Sequence, residues 1–229
     1  MTPADQLATF GHVSYDMAHL IGAVILMMSF GLLYQRRLTA VIRIYSFQAM
    51  VLALAAAWQA LVQDAPHLYA TALIALLFKG LAVPFALNWL VRRLGIHRTV
   101  ETALGIGPTM IAGVGLVALS IVLVLPVTAS AAAMTRENLA LAMSVVLLGL
   151  LMMITRRNAV TQVVGFMSLE NGLILAAVGA KGMPLVVEIS VAFSVLVAMA
   201  LFGIFFFRIR ERFDSLDIAY LETFRGERQ

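Results

Sequence analysis

Seven stretches of this chain are apolar and long enough to cross a lipid bilayer as helices, and that repetition leaves few folds open to it. The hydrocarbon core of a bilayer is about 30 Å thick, which a helix crosses in roughly 20 residues. Lipid offers a backbone no hydrogen-bonding partners, so each crossing segment must satisfy its own amides, as a helix does. The runs lie near Met17 to Tyr34, Ile44 to Leu61, Leu68 to Val91, Thr102 to Val127, Leu139 to Ile154, Val160 to Ala180 and Met183 to Phe207. The expected fold is therefore all-α, a polytopic membrane helix bundle of about seven transmembrane helices. A hydrophobic fraction of 62% against 12% charged residues agrees with it. The longest polar stretch is the tail after Phe207, so no independent soluble domain is expected.

The turns between these runs fix an orientation. Arg36, Arg37 and Arg43 follow the first run, Arg92, Arg93 and Arg98 the third, Arg156 and Arg157 the fifth, and Arg208, Arg210 and Arg212 the seventh. The alternate turns carry only Asp64 with His67, Arg136 with Glu137, and Lys181. By the positive-inside rule the N-terminus lies outside and the C-terminus in the cytoplasm. Short arginine clusters between apolar runs also assign the formal charge of +4 to topology and not to nucleic-acid binding. The first sixteen residues hold Asp5, His12 and Asp16 but no lysine or arginine, so the first apolar run is expected to be retained. The sequence has no cysteine, which excludes iron–sulfur clusters, disulfides and thiolate zinc sites. No metal or cofactor is expected in this chain.

A few polar residues interrupt the apolar runs. Glu170 sits in the middle of the sixth, beside Asn171 and Gly172, and Lys79 sits in the middle of the third. An ionised group at the bilayer centre costs about 2.5–3.5 kcal/mol on insertion scales, and such residues face a bundle interior or a hydrated cavity. Burial disfavours the charged form of an acid and of an amine alike, which makes both suited to exchanging protons. The structural alternative is an acid paired permanently with a neighbouring helix, or a lysine that snorkels to an interface. Pro84, five residues after Lys79, removes a backbone donor and clashes with the carbonyl around Gly80, so the third helix is expected to kink or open beside the charge. Glu188, about one turn into the seventh run, is placed either to complement the helix dipole or to serve as an outer access group. His19 and Asp16 share a face near the start of the first run. Haem held by two histidines would need ligands facing one pocket, whereas His67 and His97 fall in turns on opposite sides of the membrane.

A faint internal repeat follows the arginine pairs. The segments beginning at Gln35 and at Thr155 both read as two arginines followed by a helix with a polar centre, which sets Gln48 near the place Glu170 takes in the second copy. The expected organisation is a first three-helix unit over 1–95, a linking helix over 96–135, and a second three-helix unit with a cytoplasmic tail over 136–229.

At Arg156, Arg157, Asn158, Gly165 and Asn171 the chain resembles the K-type subunit of complex I and the related C-type subunit of multisubunit cation/proton antiporters. Over nearly its whole length it is more similar to component E of hydrogenase-4, a membrane subunit of complex-I-related group 4 hydrogenases such as formate hydrogenlyases. That likeness is carried by the spacing of Lys79 and Pro84, by Arg156, Arg157 and Asn158, by Glu170, Asn171 and Gly172, by Val187, Glu188 and Ile189, and by Leu216 with Asp217. The resemblance implies a non-redox subunit of a bacterial cytoplasmic (inner) membrane complex. Its implied partners are antiporter-like membrane subunits, a complex-I-like membrane anchor and a peripheral redox module. Glu170, Lys79 and Glu188 would then serve proton or sodium translocation, supported by Asn171, Pro84 and His19. Two departures stand against the K-type pattern: its central glutamate falls on Met167 here, nearly one turn before Glu170, and the acid of its third helix falls near Ala198, which cannot titrate. An antiporter without a redox module and a purely architectural subunit are the alternatives.

Overall fold

Helix boundaries follow the apolar runs closely, with differences where polar residues extend a helix beyond the membrane. The computed structural model describes residues 3–93, 104–128 and 133–179, all within one compact unit, Met1–Val191. They form α1 (Pro3–Tyr34), α2 (Leu38–Gln63), α3 (His67–Ile74), a π-helical segment (Ala75–Ala82), α4 (Val83–Arg93), α5 (Ile106–Val127), α6 (Ala133–Thr155) and α7 (Ala159–Gly179). The third apolar run is the continuous rod α3–π–α4, so the described residues provide six helical spans apolar and long enough to cross a membrane. The seventh run, Met183 to Phe207, lies outside the described residues, as does Glu188 within it.

α1 starts at Pro3 and not at Met17, and α6 at Ala133 and not at Leu139. Hydropathy marks where a helix enters lipid, and the helix itself continues through polar residues until something breaks it; the apolar part of α1 is Val13–Tyr34. Proline suits the first turn of α1 because its missing amide would be unpaired there anyway. α2 ends at Asp64, whose φ of 51° is left-handed, a conformation that aspartate tolerates better than most side chains. Pro66 follows and stands at the N-cap of α3.

α2 and α7 run parallel. Near their C-terminal ends the Gln63 side chain donates to the Val178 carbonyl at 2.9 Å, and halfway along Asn171 donates to Gln48 at 3.3 Å. The first residues of both helices therefore share one end of the bundle, with Arg36, Arg37, Arg156 and Arg157 beside them. The core between the helices is made of Ile21 and Ile25 of α1, Leu52 and Ala56 of α2, Ala142 and Val145 of α6, and Ile174 and Val178 of α7. α5 is peripheral: it ties to α6 through the Ser120 hydroxyl on the Ala140 carbonyl at 2.8 Å, and it turns Ile111, Val114 and Val122 outward.

α6 and α7 form the tightest pair, because glycines let the backbones meet. A Cβ on Gly149 would stand 2.5 Å from the Leu169 amide nitrogen, and one on Gly172 would stand 2.8 Å from that of Val146. Small residues at helix crossings permit this approach in membranes, where close packing takes over from the hydrophobic drive. The seam fixes the height and rotation of the α7 residues between its two contacts.

Candidate functional site

Pro84 has no amide hydrogen, so the Gly80 carbonyl one turn earlier cannot receive its usual helical bond. The chain responds by widening into the π segment, where Leu76, Leu77 and Phe78 face outward in succession while Ala75, Lys79 and Gly80 are buried. The freed Gly80 carbonyl is taken by the Ser46 hydroxyl of α2 at 2.6 Å. Irregular helix is stable at membrane depth only when a neighbour satisfies its backbone in this way. The expected opening beside Lys79 is thus present, and α2 supplies the compensating donor.

Lys79 points inward and meets Glu170. Its Nζ lies 3.1 Å from Glu170 Oε2, with the side chains only 5% and 4% exposed, so this is a fully interior ion pair. The same ammonium donates to Asn171 Oδ1 at 3.2 Å. Asn171 passes the chain on to Gln48 Oε1, Gln48 Nε2 donates to Ser29 Oγ at 2.8 Å, and Ser29 donates to the Ile25 carbonyl at 3.1 Å. One polar line therefore joins the third span, α7, α2 and α1. Taken as whole residues, its members are each at most 4% exposed. Glu170 is held by the glycine seam two residues later, and Lys79 by the widened turn around it.

Of the sequence-derived site residues, Lys79, Glu170 and Asn171 come together and Pro84 shapes the backbone that carries Lys79. His19 sits apart, toward the other end of α1. Its Nδ1 lies 3.5 Å from Glu137 at the start of α6, its ring stacks on Tyr15 at 6.2 Å, and Tyr15 hydrogen-bonds the same carboxylate. That cluster is half-exposed and ties α1 to α6. Glu188 lies outside the described residues. Among the described residues, no group of three or more histidine, cysteine or acidic side chains is placed to hold a metal.

Sequence reasoning missed Ser29, Ser46 and Tyr45, and it took Arg156 for a topological marker. Arg156 is buried, at 2% exposed, and donates through Nη2 to the carbonyls of Leu32 and Leu33, in the last turn of α1. Those carbonyls have no partner within α1, so the guanidinium caps the helix and matches its negative end. Burial pushes the Arg156 guanidinium below its ordinary value. Arginine starts so high that it stays charged.

An arrangement of this kind can hold one mobile proton or exchange one charge between neighbours. Among the described residues the carboxylate has one ammonium for compensation, and that ammonium has an amide oxygen at nearly the same distance as a second resting place. No family model matches this sequence, and no solved structure matches it. Curated relatives do. An uncharacterized protein of Mycobacterium tuberculosis is 26% identical over 200 residues, 85% of this chain and 89% of that protein. Hydrogenase-4 component E of Escherichia coli K12 is 30% identical over 186 residues, covering 80% of this chain and 85% of the relative. The protein of the same name in Shigella flexneri matches to the same extent. With identity at that level along most of both sequences, the chain belongs to the hydrogenase-4 component E family.

Proposed function

We propose that this chain is a non-redox, multi-pass membrane subunit of a complex-I-related hydrogenase complex, and that Lys79 and Glu170 take part in moving a proton or sodium ion in step with electron transfer elsewhere in the complex. The observation that carries this reading is the buried ion pair within two bilayer-length spans, 3.1 Å across. A buried ion pair is a poor way to gain stability, since desolvation of both charges offsets most of their attraction. Intramembrane pairs of this kind mark ion or proton pathways. Family membership and six bilayer-length helices support the subunit assignment. With no cysteine to ligate a cluster, the electrons would travel in partners: a peripheral redox module, a complex-I-like anchor and antiporter-like membrane subunits. We assign the complex to a bacterial cytoplasmic membrane, with the arginine-rich end of the bundle inside.

In this reading, a shift of the Lys79 ammonium from Glu170 toward Asn171 leaves the carboxylate uncompensated, and it takes up a proton. Return of the ammonium expels it. Glu188 would provide access from the outer side. The test is Glu170→Gln in the complete complex, because glutamine keeps an oxygen for Lys79 to bond. The expected result is normal assembly with reduced proton-coupled turnover, measured as ion uptake into inverted vesicles per electron pair. Full coupling would overturn the relay. Low yield without specific uncoupling would instead favour an architectural role, in which the pair serves assembly.

A further inference from the structure

Among the described residues, two buried oxygens near the ion pair have no hydrogen-bond partner. Glu170 Oε2 holds Lys79, but Oε1 is buried and unpaired, and so is the hydroxyl of Tyr45 on α2, a residue that is 0% exposed. Helix geometry brings these two residues to neighbouring levels of the bundle. Tyr45 lies three residues before Gln48 on the buried face of α2, and Gln48 is bonded to Asn171, the neighbour of Glu170. Ser46, next to Tyr45, is fixed to the Gly80 carbonyl, next to Lys79. The Tyr45 hydroxyl also lies within electrostatic reach of the Glu170 carboxylate.

The opposite side of the pair is closed. Lys79 donates to Asn171, Asn171 to Gln48, Gln48 to Ser29 and Ser29 to the Ile25 carbonyl, so every donor points away from the ammonium toward α1. Two of these links are amides, which neither take up nor release protons near neutrality, and the last acceptor is a backbone carbonyl. A proton sent along this line has no onward step. The line's effect is mechanical: it aims Asn171 Oδ1 at Lys79.

Buried polar atoms left without protein partners are where internal water binds. We propose that water bridges Glu170 Oε1 and the Tyr45 hydroxyl, that Glu170 gains and loses its proton on this face, and that Asn171, Gln48 and Ser29 are positioning residues outside the route. The proposal rests on Glu170 being protonatable, as set out above. In each transfer the carboxyl O–H bond breaks as a water O–H bond forms. The excess proton then sits on the bridge, with the tyrosine hydroxyl accepting from one water and donating to the next.

The experiment is infrared difference spectroscopy on the purified complex, following hydrogen–deuterium exchange at the carboxyl band that Glu170→Gln removes. Tyr45→Phe keeps the ring and its packing; it should slow exchange by about tenfold or more and shift the carbonyl frequency as a hydrogen bond is lost. Ser29→Ala cuts the amide line at its far end; by loosening the aim of Asn171 it should slow exchange much less than Tyr45→Phe does, and it should leave the carbonyl frequency in place. Unaltered exchange in Tyr45→Phe overturns the proposal while leaving a titrating Glu170 intact, and so does slowing in Ser29→Ala equal to that in Tyr45→Phe. If no Glu170 carboxyl band appears at any pH, the proton-carrying reading itself fails, and the water bridge with it.

Discussion

Lys79 and Glu170 are each tolerable only because the other is present. Removing one partner of a buried pair leaves an uncompensated charge and costs about 3–5 kcal/mol, whereas replacing both with apolar side chains of similar volume is close to neutral. Lys79→Met and Glu170→Leu should therefore each lower the unfolding temperature in detergent sharply, and the double variant should recover most of the loss. Glu170→Gln should fall between Glu170→Leu and the parent chain. Equal, additive losses in the double variant would show that the pair is not coupled. Arg156 behaves differently, because its charge is spent on two carbonyls of α1. Arg156→Gln should cost about 1.5–3 kcal/mol, the worth of hydrogen bonds from a charged donor. Its pH dependence follows from the sign of the shift. Burial lowers the affinity of the folded chain for this proton, so the cost of burying the charge is constant at every pH below the folded-state value. For an arginine that covers the whole neutral range, and thermal unfolding from pH 6 to 8 should reveal no contribution from Arg156. Glu170 and Lys79 were legible in the sequence because a charge inside an apolar run is anomalous. Ser29, Ser46 and Tyr45 were not, since serine and tyrosine occur in membrane helices for ordinary packing, and only the neighbouring helices show which of their atoms are needed.

At the level of the helix, the break before Pro84 was legible and its repair was not. Pro84 identifies the carbonyl that is freed, but nothing in a single helix names Ser46 as the group that answers it. This makes the two residues thermodynamically linked. Ser46→Ala should cost about 1 kcal/mol or more in the parent chain, by leaving the Gly80 carbonyl unsatisfied. In a Pro84→Ala background the restored amide can serve that carbonyl, so the same serine substitution should cost less. A double-mutant cycle by thermal unfolding reads this directly, and strict additivity would refute the link. The α6–α7 seam gives a second contrast. Gly149→Ala would drive a methyl group into the Leu169 backbone at 2.5 Å and should separate the helices, lowering stability and displacing Glu170. Gly115→Ala, on the peripheral α5, meets nothing within 4 Å and should be neutral or slightly stabilising. Both glycines look alike in sequence, because the difference lies in the partner helix.

For the whole molecule, hydropathy marks candidate spans and the arginine clusters give an expected orientation, and neither says which spans touch. The parallel pairing of α2 with α7 was hinted at only by the twin arginine pairs and the matching positions of Gln48 and Glu170. The orientation itself is directly testable, since the natural chain offers a cysteine-free background. A cysteine at Asp64 should react with a membrane-impermeant maleimide in intact cells, whereas one at Arg36 or Arg157 should react only after the membrane is opened. The reverse pattern would invert the assignment. One consequence of the π segment concerns length in place of identity. A π turn closes one circuit with nearly one residue more than an α turn, so the third span holds an extra residue with little change of phase between its two halves. Leu68 and Ala72 before it, and Leu87 and Leu90 after it, are all buried. Deleting a single residue within 75–82 would give a more regular helix, equally apolar and equally able to enter the bilayer. It would also leave both halves near their present faces, whereas the same deletion within the regular α2 would swing one half by about 100° and turn its buried face to lipid. Substitutions are graded at either place, but a one-residue deletion is mild at the π segment and severe in a regular helix.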